Sequence, residues 1–215
     1  MNRVFCLSFS LLFVFVMIFF YCVPCSGLDL LSEIKDVEQR MDSVRTLSAR
    51  FVQVKKMAMF EMPLEIRGTI HVDKPDRFAW KVEEPVEYSL VMDGKQMVKW
   101  DAESKKSTTI SLNDNMMVDT AVSQIKKWFS GQYSDFLTDY DIVALSETPL
   151  SLRFQPKPEN PASGIIEAVV VDFREDKRYL EQIRITEISG DDTLIRFEDI
   201  RINLPIESSV WTTAK

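Results

Sequence analysis

The sequence predicts a mainly β, α+β fold: an open, strongly curved antiparallel half-barrel of about eleven strands with an N-terminal helix and a helical lid. Three features carry that expectation. Apolar residues recur at helical spacing from Leu31 to Val44, period-two alternation then runs through most of the chain, and helical spacing returns once, between Val118 and Phe129. A helix, about six strands, a helical segment and about five further strands cannot close tightly on themselves and still leave the helices a surface to cover, so the sheet is expected to stay open.

The opening residues read as an export signal. Arg3 supplies the positive end, an apolar run extends from Val4 to Val23, and the small residues Ser26 and Gly27 follow, which divides the chain into a signal peptide over 1–27 and one domain over 28–215. A run of about 20 apolar residues is also long enough to span a bilayer uncut, so an anchored form stays open as the alternative. Cys25 follows Val23 and Pro24, and Cys22 follows Phe20 and Tyr21, neither the small-residue context that lipidation requires. All three cysteines lie in this segment, so the domain is expected to hold together by packing, without disulfides or cysteine-bound metal.

Within the domain, Leu31, Ile34, Val37, Met41 and Val44 form one face of an amphipathic helix. From Leu47 the period becomes two: Ala49, Phe51 and Gln53 share a face, and Ile66, Gly68, Ile70 and Val72 alternate with Arg67, Thr69 and His71. Phe78, Trp80 and Val82 form a strand closed at both ends by Pro75 and Pro85, since proline cannot donate to a ladder. Asp93-Gly94 predicts a tight hairpin between Tyr88–Met92 and Lys95–Asp101. A short strand near Ser107–Ser111 precedes the helical stretch of Val118, Ala121, Val122, Ile125, Trp128 and Phe129. Five further strands are expected near Tyr140–Ser146, Leu150–Gln155, Ile165–Phe173, Tyr179–Ile188 and Thr193–Ile202. Pro156–Pro161 reads as a loop within the domain, and no repeat is present.

Charge narrows the functions. Removing the single positive charge of Arg3 takes the net −7 to −8, which opposes binding to nucleic-acid phosphates or to an anionic membrane surface. Catalytic patterns are scarce. His71 is the only histidine, on a strand face shared with Arg67 and Thr69, so a surface role is expected and a histidine-based triad is excluded. The carboxylates Glu83-Glu84, Asp172, Glu175-Asp176 and Asp191-Asp192 sit in or beside turns, where solvated charge is the default. No phosphate loop, HExxH helix, EF-hand or G-x-S-x-G elbow occurs, so no enzyme, cofactor or metal is expected. Soft apolar residues are abundant instead: 10 methionines and 14 phenylalanines, among them Met57, Met59, Phe60, Met62, Met92, Met97, Met116 and Met117.

The residues around the first strands resemble those of the periplasmic lipoprotein carrier family LolA. Phe51-Val52-Gln53 is similar to the family's F-x-Q strand, and Gly68-Thr69-Ile70-His71-Val72-Asp73-Lys74-Pro75-Asp76-Arg77-Phe78-Ala79-Trp80 to its G-x-h-x-h-x-x-P-x-x-F-x-W motif, continued by Pro85 and Leu90-Val91-Met92-Asp93-Gly94. The likeness covers essentially the whole predicted domain.

The resemblance implies an unclosed barrel whose apolar interior receives the acyl chains of lipoproteins in the periplasm, between an inner-membrane exporter and an outer-membrane acceptor, with the protein a monomer. It makes Ile34, Val37, Met41, Phe51, Ile66, Ile70, Val72, Phe78, Trp80, Val82, Val118, Val122 and Ile125 candidates for the acyl cavity. It also implies a latch before the motif's proline, where the family has an arginine that bonds to lid carbonyls. Here that position is Lys74, with three donors on a flexible stem in place of a planar fork, and Arg77 is a second latch candidate. Two other readings stay open: an accessory for lipid or polyene export, and a lipoprotein-sensing regulator of the same fold, a class that usually carries a further C-terminal domain not expected here.

Overall fold

The computed structural model describes residues 29–94, 96–111 and 127–213. The proposed signal segment, and Val118, Val122 and Ile125 of the predicted lid, lie outside the described residues.

The domain opens with helix α1 (Leu30–Asp42), which buries Ile34, Val37 and Met41 on one face. Six strands follow: β1 (Thr46–Lys56), β2 (Leu64–Asp73), β3 (Arg77–Glu84), β4 (Tyr88–Asp93), β5 (Gln96–Asp101) and β6 (Lys106–Ser111). Residues 127–130 are helical, and a 3-10 turn (Tyr133–Leu137) leads into β7 (Tyr140–Glu147), β8 (Leu150–Pro156), β9 (Ile166–Phe173), β10 (Leu180–Glu187) and β11 (Asp192–Ile202). These bounds fall within a residue or two of those that periodicity predicts. Three short elements carried no periodic signal: the Tyr133–Leu137 turn, a 3-10 turn at Pro161–Gly164, and a C-terminal 3-10 turn (Ser208–Trp211).

All eleven strands form one antiparallel sheet in the order β6-β5-β4-β3-β2-β1-β11-β10-β9-β8-β7. The first and last in that order do not pair, so the sheet is open rather than a closed barrel. The centre is β1, which pairs with β2 from Thr46↔Asp73 to Lys55↔Leu64 and with β11 from Leu47↔Ile202 to Lys56↔Asp192. Within β1–β6 and within β7–β11 consecutive strands are sheet neighbours, so their connections fall at the two ends of the sheet. One end carries Lys74–Asp76 and Gly94, and the other carries residues 57–63, 85–87, 157–165 and 188–191. Gly94 sits at φ 64 in the turn that Asp93-Gly94 predicts.

The concave face holds the main core. Phe51, Ile70, Phe78, Met92, Leu152, Phe154, Val171 and Phe173 are buried there, covered by α1 and by Tyr133 and Phe136 of the 3-10 turn. A smaller cluster of Ala79, Val91 and Trp211 covers the convex side of β3 and β4. Asp172 lies inside β9, where it accepts from Ser151 Oγ at 2.5 Å and Gln182 Nε2 at 2.9 Å. His71 is half-buried on the convex side, 2.9 Å from Ser48 Oγ, and burial lowers its pKa, with Lys81 adding to the effect.

Two glycines are required by close approach. A Cβ on Gly68 would lie 2.0 Å from the Lys81 carbonyl oxygen and 2.8 Å from the Phe51 ring, so the β2–β3 ladder and the Phe51 packing both depend on its absence. Gly131, at φ +86, ends the 127–130 helix as a left-handed cap, and a Cβ there would meet Met41 Cβ at 2.7 Å. Gly68→Ala is expected to destabilise the domain by about 1–3 kcal/mol through overpacking. In urea unfolding the midpoint should fall with the slope unchanged; an unaltered midpoint would mean that β2 and β3 separate at no cost.

Candidate functional site: an apolar cavity under a latched cover

Between the concave face and the covering elements lies a cavity of about 370 Å³, bordered by Phe78, Trp80, Tyr88, Leu90, Trp128, Phe129, Val169, Ile183, Ile185, Ile195 and Phe197. It follows from strand alternation: β3 contributes Phe78 and Trp80, β4 Tyr88 and Leu90, β10 Ile183 and Ile185, and β11 Ile195 and Phe197. Every lining side chain is apolar or aromatic, and the volume falls at the lower end of the roughly 300–1,000 Å³ usual for ligand sites.

Aromatic contacts determine where the cavity stops. Phe129 sits between Phe78 of β3, at 5.9 Å between centroids, and Phe197 of β11, at 5.6 Å, and so roofs one side. Trp128 stacks on Phe136 at 4.2 Å and meets Phe154 edge-on at 4.8 Å, closing the β7–β9 half of the concave face with solid packing. Tyr133 is fully buried, donates to the Trp128 carbonyl oxygen at 2.8 Å, and has its pKa raised by burial. On the floor, Trp80 stacks on Phe51 at 3.9 Å.

The cover is tied down by one amine. Lys74, which follows β2, donates from Nζ to the carbonyl oxygens of Met41 and Ser130, each at 2.8 Å. Met41 lies in the last turn of α1 and Ser130 ends the 127–130 helix, so one cation serves the negative ends of two helices. Its pKa is lowered by burial, with Asp42 opposing the shift. A second tie runs from Glu38 of α1, which accepts from Ser134 N at 2.6 Å and Ser134 Oγ at 2.9 Å.

The expected cavity residues divide into groups. Phe78 and Trp80 border the cavity, and Phe51 backs Trp80. Ile34, Val37, Met41, Ile70 and Val72 are buried in the filled core and do not border it, although Met41 and Val72 adjoin a separate void of about 10 Å³. Ile66 and Val82 are partly buried against the same core. Arg77 is not brought to the cover: it pairs with Asp93, Nε to Oδ1 at 3.2 Å, and its guanidinium lies 4.3 Å from the Trp211 ring centroid. Sequence reasoning missed Tyr88, Leu90, Val169, Ile183, Ile185, Ile195 and Phe197 as lining residues. Their alternation was visible, but nothing local says which inward residues face a neighbour and which face a void.

An apolar pocket between an unclosed sheet and a helical cover defines a half-barrel binding protein. The family model for the outer membrane lipoprotein carrier protein LolA matches residues 42–213, and the chain belongs to that family. A relative from Chromohalobacter salexigens named outer-membrane lipoprotein carrier protein is 25% identical over 172 residues, covering 80% of this chain and 78% of the relative. One of the same name from Pseudomonas putida is 23% identical over 180 residues, covering 84% and 83%. Among solved structures, an uncharacterized conserved protein from Thermus thermophilus superposes with a TM-score of 0.55 at 8% identity, over 86% of this chain and 94% of the other. MucB does so at 0.53 and 10%, over 85% and 63%. At these identities the structural likenesses show the fold alone. LolA proteins are a carrier family, not an enzymatic one, and no helix among the described residues is long and apolar enough to cross a membrane.

Lys74→Ala removes the donor shared by two helix-end carbonyls. It is expected to cost about 1–3 kcal/mol and to speed amide hydrogen exchange at residues 127–131 relative to the strands, while Lys74→Arg restores protection. Equal exchange in all three proteins would show that the amine does not hold the cover.

Proposed function

We propose that this protein is a periplasmic carrier that shelters the acyl chains of lipoproteins, taking them from an inner-membrane exporter and giving them to an outer-membrane acceptor, without catalysis and as a monomer. The observation that carries this reading is the 370 Å³ cavity, whose apolar walls carry polar side-chain atoms only at the edges of Tyr88, Trp80 and Trp128 among the described residues. Residues 1–27 act as the export signal in this reading and 28–215 as the carrier domain.

The physical reasoning starts from the ligand. Exposing an acyl chain to water costs roughly 0.8 kcal/mol per methylene, so about 14 methylenes supply about 11 kcal/mol toward entry. The cavity lacks charges that would need to be stripped of water, so this driving force is not opposed there. Entry from the covered side displaces Phe129 from between Phe78 and Phe197, and in this reading breaking the Lys74 bond to Ser130 frees that movement. The latch then lies at one end of the sheet and the acyl site under the cover, so opening one exposes the other. A regulator that binds a protein, and an accessory for lipid or polyene export, remain outcomes of the cargo test.

Uptake of a fluorescent fatty-acyl probe should be saturable, and Phe78→Glu should weaken it by about tenfold or more by placing a charge in the apolar wall. Phe129→Ala should instead speed uptake at a stability cost of about 3 kcal/mol, the low end for a phenylalanine because Phe129 is only partly buried. Uptake indifferent to Phe78→Glu would count against the carrier reading. Native mass spectrometry of the purified protein would identify the cargo: lipid-modified peptide supports the lipoprotein assignment, whereas free lipid or polyene would redirect it.

A further inference from the structure

Among the described residues, seven of the eleven exposed large apolar side chains lie at one end of the sheet, the others being Leu31, Val143, Leu145 and Leu204. Met59, Phe60 and Met62, exposed by 89%, 63% and 80%, lie in the β1–β2 connection, and Val86, Ile165 and Ile188 lie in other connections at the same end of the sheet. This is the end opposite the Lys74 latch. From these observations we propose that it is a membrane-contacting edge, which inserts the Met59–Met62 tip into the surface of a phospholipid bilayer.

The tip is held in place by its neighbours. Phe60 N donates to the Met57 carbonyl oxygen at 3.0 Å, and Ala58 N donates to Asp191 Oδ1 at 2.9 Å, binding the loop to the β10–β11 connection. That connection is in turn bonded to the start of β9, Ile188 N to the Ile165 carbonyl oxygen at 2.9 Å. Lys55 at the loop's base is paired with Glu187 at 3.1 Å and Asp191 at 3.8 Å. The apolar tips therefore project from a braced edge.

Shape and charge select the occupant. The tips belong to separate connections spread along one end of the sheet, an outline that a fluid bilayer surface conforms to and a protein partner would have to be shaped around. Met and Phe are side chains that settle at the boundary of headgroups and acyl chains. The charges flanking this edge are mixed, Glu61 and Glu84 against Lys56, with Glu65 paired to Arg67, and the chain carries a net −7, so attraction to anionic lipid does not contribute and contact is by apolar insertion. A few such side chains give binding on the order of that of a single myristoyl chain, about 10⁴ M⁻¹, which is reversible.

The edge also adjoins the cavity. Tyr88 lies two residues after Val86 and Ile185 three residues before Ile188, and both line the cavity. Insertion would bring this end of the acyl site to the bilayer surface, shortening the path through water. The purpose of the contact thus rests on the carrier reading, but its existence does not.

Vesicle flotation tests the edge, using protein purified after export and vesicles of phosphatidylcholine. A fraction of the protein should float with the vesicles, equally at low and high salt, and addition of phosphatidylglycerol should not increase it. The triple variant Met59→Glu, Phe60→Glu, Met62→Glu should lose about tenfold or more of that partition while taking up the soluble acyl probe as the parent does, since none of the three lines the cavity. Absence of flotation in the parent, or equal flotation of the variant, overturns the proposal. So does lipid-free self-association of the parent that the triple variant abolishes, if no vesicle binding accompanies it. Flotation that the variant loses, combined with no probe uptake by either protein, supports the edge and overturns the carrier reading instead.

Discussion

One ammonium group joins the three parts of this fold. Lys74 leaves the end of β2, and its Nζ reaches the last turn of α1 and the end of the 127–130 helix. Helix ends expose carbonyl oxygens that no residue of the same helix can satisfy, and the dipoles make them negative. Two such ends converge on one cation, so a single side chain ties sheet, helix and cover together at this end, beside the Glu38–Ser134 tie and the apolar packing of α1. Gly131 allows this convergence, because any larger residue would push the end of the helical cover off Met41.

An open sheet has a second constraint: its concave face is apolar and must be covered. Over β7–β9 the coverage is solid, with Trp128, Tyr133, Phe136, Tyr140 and Phe154 in mutual ring contact. Over β3–β4 and β10–β11 the side chains border the cavity, and among the described residues Phe129 bridges Phe78 and Phe197. The cavity is the region where packing ends. Interiors normally close such gaps because each lost contact reduces stability, so a 370 Å³ gap lined by apolar groups points to a ligand.

Much of this architecture was legible in the chain. Period-two alternation, Pro75, Pro85 and the Asp93-Gly94 turn locate the strands because each acts through its immediate neighbours. The candidate site was less legible. Ile70 has the same inward alternation as Phe78, yet it is buried in the filled core while Phe78 faces the void. Alternation reports which face a residue takes, and only the three-dimensional course of the cover decides what lies opposite. Lys74 and Arg77 show the same limit: both are cations beside Pro75, but the curvature of the hairpin sends one to the helix ends and the other to Asp93 and Trp211. Tyr133 and Phe136 escaped notice because a 3-10 turn is too short to establish a period.

On the carrier reading, the small cavity and the lysine latch answer the same energetic demand. A single chain of about 14 methylenes carries about 11 kcal/mol of transfer free energy, and several chains buried completely would approach the limit of non-covalent affinity, beyond which release is too slow to be useful. A volume at the low end of ligand sites limits how much of that driving force the closed protein captures. The latch works in the same direction. A flexible lysine loses more freedom per bond than the planar guanidinium of arginine, and burial already disfavours its charge, so the closed state is held less firmly than the same two carbonyls could permit. Incomplete shelter and an easily broken cover therefore make opposite steps, loading and release, accessible to one fold without any chemical change in the protein.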